Sequence, residues 1–471
     1  MTALDRVITG GEVLLPDGLH RVDLGIADGR VAGLYSPGSA PGATDRVDAT
    51  GKTVLPGIVD IHFHVRAPAY PERGTVLSET RAAAAGGVTT LFEMPISKPC
   101  CSTPGEFARR RDHFRDNAVI DFALYAAPGD LTEASRDRML DLGAIAFKIF
   151  TTPAPANRAD EFDGLAFPDE ADQLRALTLL AGTGRPVVVH AESAGLLAHF
   201  EAQAKALDPG DAATHGLSRP AICEAVAVAK LLAMNITAQA KLHIAHVTSA
   251  ETVQVLRGFA GTSDFTAETC PQYLFATEQD VRRAGVYAKV NPPIRHQADQ
   301  DALWQAIADG VINYVTTDHA PFSRAEKQAA EGDFPAAPPG VPGIEFILPA
   351  MLDAVAQGRL NLKRAHDLIC ANGAKRYGLY PFKGALMPGS AADVTLVDLA
   401  SETVLSSDML HTHAREVAHL FAGRSLRGRV CQTILKGRTV FLDGDVTGPQ
   451  GAGEFVTPPP EHDAQIAVAA G

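Results

Sequence analysis

Residues 58–64 read Ile58-Val59-Asp60-Ile61-His62-Phe63-His64, directly after Gly57. A short, mainly apolar run rich in β-branched residues behind a glycine reads as a buried strand. Successive side chains of a strand alternate between faces, so His62 and His64 project together and Asp60 lies on their side one pleat earlier. Two imidazoles converging this way can begin a metal site. A lone His-x-His pair can equally be incidental, so the decision rests on what the other strands carry at their ends.

Outward from this stretch, apolar strands alternate with helical segments, the pattern of βαβ units and a parallel sheet. The strands fall at 58–64, 88–93, 119–125, 144–150, 186–190, 241–246, 264–269 and 311–317. Repeated strand–helix units of this number predict an α/β fold, a closed (β/α)8 TIM barrel with its site at the carboxyl ends of the strands. Three connections, 151–168, 191–220 and 321–343, exceed an ordinary βα loop. Each follows a strand with a candidate ligand, which puts all three over one mouth. Outside the barrel, 7–55 and 383–446 are short apolar segments separated by turn residues such as Gly10-Gly11, Pro16-Asp17-Gly18 and Asp443-Gly444. They predict a small β-sandwich built from both chain ends. The organisation is therefore 1–56 and 383–446 for the sandwich, 57–382 for the barrel, and 447–471 for a C-terminal tail. With its Pro458-Pro459-Pro460 run, that tail is expected to be loosely ordered or docked on a neighbour.

The chain has 471 residues, a formal charge of -13 and an ordinary globular composition. An acidic balance argues against nucleic acid or an anionic membrane as partner. Its six cysteines show no C-x-x-C pair, so reduced, buried thiols are expected rather than a disulfide framework or zinc ribbon. No leader pattern and no apolar run approaching the ~18 residues of a membrane span is evident, and a cytoplasmic location is expected.

The strand ends are rich in metal ligands. The first offers His62 and His64, the fourth Lys148, the fifth His190 and the sixth His246, and the eighth runs into Asp318. Neutral imidazoles with a carboxylate suit Zn²⁺ or another first-row divalent ion, without fixing which. Lys148 fits only if converted to an anionic carbamate, since an ammonium repels metals; otherwise it is an ion-paired or snorkelling lysine.

This set resembles the amidohydrolase superfamily, and within it the cyclic amidases: dihydroorotase, allantoinase and hydantoinase (dihydropyrimidinase). The resemblance runs through Gly57 to His64, Ala82-Ala-Ala-Ala-Gly-Gly-Val-Thr-Thr, Phe147-Lys148, Glu268-Thr-Cys-Pro-Gln-Tyr, Asn291-Pro-Pro-Ile-Arg and Gly389-Ser-Ala-Ala-Asp. It implies two divalent ions, Zn²⁺ foremost: one held by His62, His64, Lys148 and Asp318, the other by carbamylated Lys148, His190 and His246. Asp318 would carry the proton from the attacking water to the departing amide nitrogen. The implied activity is metal-dependent ring-opening of a cyclic amide, dihydroorotase-like, with allantoinase or hydantoinase activity as the alternative. A non-catalytic scaffold, or an amidohydrolase acting on another bond, is the competing class. A small-molecule substrate and a homodimer or homotetramer are implied as well.

Substrate residues are less uniform. Arg66 matches the His-x-Arg of dihydroorotases, where the guanidinium holds a substrate carboxylate, and Asn291 matches a substrate-binding asparagine. Ile96 and Phe322 depart from that pattern, and Pro153 stands where hydantoinases carry a tyrosine. Arg66 could instead be tied to a loop carboxylate such as Glu72 or Glu79.

Overall fold

A computed structural model describes residues 3–458. Eight strands, Ile58–Phe63, Val88–Glu93, Asp121–Ala126, Ala146–Phe150, Val187–His190, Leu242–Ile244, Phe265–Thr269 and Tyr314–Val315, form one sheet in sequence order. Each pairs with the next in parallel. The ends meet: Phe63 bridges His319, and the His64 amide donates to the His319 carbonyl at 2.8 Å. Asp60, on the same strand, accepts from the Thr317 amide at 3.1 Å and its hydroxyl at 2.6 Å, so this carboxylate fastens the seam of the barrel.

The later strands end sooner than their apolar runs. The sixth stops at Ile244 and the eighth at Val315, so that His246 and Asp318 stand on the turns beyond their strands, whereas His62, Lys148 and His190 lie within theirs. His246 and Asp318 take left-handed backbone, φ 37° and 44°, and Arg66 does so at 59°. Non-glycine residues adopt this region only when their surroundings impose it, at a cost on the order of 1–3 kcal/mol each, and such positions gather at functional sites.

Both chain ends enter the remaining sheets. Thr53–Pro56 lies between Val394–Val404, antiparallel with Pro56 opposite Val394, and Glu12–Leu15, parallel. The seven-stranded sheet around it also takes in Ser425–Leu435, Arg438–Leu442, Asp445–Val446 and Gly18–His20. A four-stranded sheet comes from Leu4–Thr9, Asp23–Ala27, Arg30–Tyr35 and Ala43–Asp48. Ile8, Val13, Leu24, Val54, Leu396 and Ile434 fill the core these strands share. All six cysteines are buried and unpaired.

One stretch, Ala213–Ala238, is long enough and on average apolar enough for a membrane span, although Arg219, Glu224 and Lys230 interrupt it. It consists of helices Ala213–Ser218 and Ala221–Ala238 broken at Pro220. Half of it is buried, and its Glu224 carboxylate takes the Thr248 amide at 3.0 Å; it is a wall helix of the barrel. The described part of the tail, up to Pro458, packs along the barrel. Phe455 bridges Phe122 on the unpaired lower edge of the third strand and packs between Phe107 and Phe122. Pro459, Pro460 and everything after them lie outside the described residues.

Candidate metal centre

All eight residues singled out from the sequence line one cavity of about 400 Å³ at the carboxyl ends of the strands. All three long connections reach it, through Thr152 to Pro155 and Arg158, through Ala194, Leu197 and Arg219, and through Pro339-Gly340. The β/α topology explains this, because every βα loop opens on the same face.

His62, His64 and Asp318 bring their ligand atoms within 4.8 Å of one another. Asp318 Oδ1 is 3.3 Å from Nε2 of His62 and of His64. Burial pushes His64 down to about 3, so it is neutral and offers a lone pair rather than a proton. For Asp318 burial pushes upward, but His62 and then His64 outweigh it and hold the carboxylate below its usual range. An anion facing two imidazole nitrogens is a donor set in want of a cation. His62 is aimed by Glu268, whose carboxylate takes its Nδ1 and also His243 Nε2 at 3.0 Å.

The second group stands beside the first. His190 Nδ1 is 3.0 Å from His246 Nε2, and the His246 ring centroid lies 5.6 Å from that of His62. His190 directs Nε2 to Glu192 at 2.8 Å and stacks on Phe150. Burial lowers both histidines. Lys148 is buried with no hydrogen-bond partner at Nζ, and burial pushes it down to about 8. His64 Nδ1 and His246 Nδ1 are likewise buried without partners. Unpaired buried polar atoms are costly, and here they belong to side chains that line one cavity; together with the facing nitrogens of His190 and His246, that donor set would suit divalent ions.

Arg66 reaches the cavity from beyond the end of its strand. The strand has ended at Phe63, and a left-handed residue turns the side chain inward. Neither Glu72 nor Glu79 holds it: Glu79 binds His319 Nε2 at 3.0 Å, while Arg66 Nε and Nη1 have no partner. Its guanidinium lies 4.9 Å over the Phe322 ring, which also receives Arg73 at 4.7 Å. Burial, then Arg158 and Arg73, lower Arg66 to about 9. Asn291 Oδ1 is also buried without a partner. Sequence reasoning gave no role to Glu268 or Glu192, the carboxylates that orient the histidines. Glu192 stands two residues after His190, a spacing that could have been read as a ligand followed by its support.

The model of the amidohydrolase family matches residues 53–440 of the chain. An allantoinase of Rubrobacter xylanophilus is 35% identical over 465 residues, covering 97% of this chain and 98% of the relative. An L-hydantoinase of Paenarthrobacter aurescens is 32% identical over 461 residues, covering 96% and 98%. Among solved structures, an L-hydantoinase (dihydropyrimidinase) from Arthrobacter aurescens superposes with a TM-score of 0.91 at 30% identity, over 96% of this chain and all of that one.

Proposed function

The chain belongs to the amidohydrolase family, and from that premise we propose that it opens the ring of a cyclic amide, a five-membered cyclic ureide before others. Allantoin and hydantoins share the imidazolidine-2,4-dione ring, and relatives named for both match almost the full chain. The observation that carries the reading is the convergence of His62, His64, Lys148, His190, His246 and Asp318 on one cavity, with buried nitrogen atoms left unpaired. A scaffold that had lost catalysis would not need this set complete.

His62, His64 and Asp318 would hold one ion and His190 with His246 the other, with Lys148 shared between them as its carbamate. Forming that carbamate from CO₂ requires a neutral amine, and burial of Lys148, which lowers it to about 8, enlarges the neutral fraction available near neutral pH. What the ions supply when bound is Lewis acidity, toward the ring carbonyl and toward the attacking water. Asp318 takes the proton of that water on the carboxylate oxygen not turned to the histidines, then returns it to the ring nitrogen. The ring C–N bond breaks, the oxygen of water stays on the acyl carbon as a carboxylate, and the nitrogen leaves as a ureido N–H. Phe150, Phe162 and Leu197 exclude bulk water from one side.

A metal-replete activity screen over allantoin, hydantoin, dihydroorotate and dihydrouracil tests this, with the imidazolidine-2,4-diones expected to turn over fastest. Failure on every cyclic ureide by fully loaded protein would overturn the reading.

A second reading, that the preferred ring bears an anionic group, is favoured by the unpaired edge of Arg66. A guanidinium pairs bidentately with a carboxylate, and a neutral ring would leave it buried and unsatisfied. Arg66→Met is expected to raise KM for an anionic substrate far more than for its neutral analogue. Equal effects on both would mean that Arg66 only supports its loop.

A further inference from the structure

Glu192 is fully buried, and its Oε2 receives two donors, His190 Nε2 at 2.8 Å and Arg219 Nη1 at 2.6 Å. Arg219 comes from the far end of the 191–220 connection. Its carbonyl is fixed by Arg295 Nη1 at 3.0 Å, and its Nη2 reaches Glu201 at 3.2 Å on helix Ala194–Ala204. Arg219 and Glu201 both line the cavity. One guanidinium therefore joins the cavity wall to the carboxylate behind a histidine.

We propose that Arg219 is a positioning residue for the ion held at His190 and His246: it pins the Glu192 side chain, and Glu192 in turn fixes the His190 ring with Nε2–H turned away and the Nδ1 lone pair facing His246 Nε2. The geometry requires such a support. His190 is anchored on its outer edge by the Glu192 oxygen alone, apart from the stack on Phe150. Glu192 Oε1 has no partner, so Arg219 is the group that restrains the carboxylate from rotating off the ring. His62 does not share this dependence, because Glu268 is fixed by His243 instead. Losing Arg219 should loosen one of the two ion positions and spare the other. The inference rests on the two-ion reading above.

The test titrates Zn²⁺ and Co²⁺ into chelator-treated full-length protein, comparing wild type with Arg219→Met and Arg219→Lys. Calorimetry gives stoichiometry and affinity, and the absorption bands of bound Co²⁺ report each position. Wild type is expected to take two ions. Arg219→Met is expected to keep the first and to bind the second about 10–100-fold more weakly, the usual cost of removing an outer partner of a metal histidine. Arg219→Lys, which still donates to Glu192, should recover part of the loss. A general loss of structure would weaken both ions together and lower the melting temperature of the ion-free protein. If Arg219→Met binds two ions with wild-type affinities, the proposal falls and the two-ion reading stands; if wild type takes a single ion, that reading falls and takes the proposal with it. Should Arg219→Met not fold, Arg219→Ala, whose side chain cannot reach Glu192, carries the test, and wild-type affinity for the second ion in that variant would overturn the proposal.

Discussion

At the scale of single residues, the ligand set was legible because it is a matter of position. A histidine, lysine or aspartate at the carboxyl end of a predicted strand has one place to go in a parallel barrel, and His62, His64, Lys148, His190, His246 and Asp318 all line the same cavity. Of the supports, Glu192 was legible in principle from its spacing after His190, but Glu268 was not, since a carboxylate inside a strand changes no periodicity and its partners His62 and His243 are distant in sequence. Two outcomes follow from the roles proposed. Lys148→Ala is expected to lose most bound metal, read by elemental analysis, and nearly all turnover, with partial rescue by small carboxylic acids that substitute for the bridge. Unmodified lysine in the fully metallated protein, seen by mass spectrometry or crystallography, would overturn the carbamate. Asp318→Asn should retain substantial metal through its neighbouring histidines yet slow turnover by roughly 10²–10⁴-fold, the range of a lost general acid–base group. Near-native turnover in that variant would remove Asp318 from proton transfer.

At the scale of elements, the eight strands appeared where apolar runs predicted them, and their ends did not. Periodicity reports burial, and residues 311–317 remain buried or nearly so after the ladder has stopped at Val315, so the run outlasts the strand. The segment between Val394–Val404 and Ser425–Leu435 was also invisible as a partner of the barrel. It reaches back through Thr412 and the His413 amide to Glu79, and through His411 to Glu345 at 3.0 Å. That last contact titrates. The hydrogen bond to Glu345 raises His411 above its ordinary 6.5, against a smaller opposing effect of burial. A raised folded-state pKa means a contribution that is whole below about pH 6.5 and fades as pH climbs through the folded value. The pair is partly solvated, so the gain is under about 1 kcal/mol. His411→Gln should therefore melt below wild type by a margin that is largest near pH 6 and narrows by pH 9; a margin constant across that range would show that His411 acts only through its uncharged hydrogen bonds.

At the scale of the whole molecule, the barrel and the end sheets are joined by chemistry that composition did not disclose. Lys383, nearly inaccessible, donates to Asp121 at 2.6 Å and to Asp393 at 2.5 Å. Asp121 opens the third barrel strand, and Asp393 immediately precedes the end-sheet strand Val394–Val404. Asp121 also takes the Glu454 amide at 2.8 Å, which ties in the tail, and Lys436 Nζ at 3.0 Å. Barrel, sheets and tail thus meet where buried Lys383 sits between two carboxylates, one of which also pairs with the partly exposed Lys436. Removing Lys383 is costly because Asp393 stays buried without a cation and Asp121 keeps only Lys436, whereas neutralising both aspartates with it need not be, since Lys436 retains Glu454. Lys383→Met should lower unfolding free energy by about 3–5 kcal/mol, measured by urea titration. Adding Asp121→Asn and Asp393→Asn to that variant should restore most of the loss, since each asparagine keeps a carbonyl, at 121 for the Glu454 amide and at 393 for the Lys436 amide that donates there at 2.9 Å, without burying charge. A triple variant no more stable than Lys383→Met would mean that the lysine contributes by packing rather than by charge. The junction should then be read as an apolar contact that happens to carry ions.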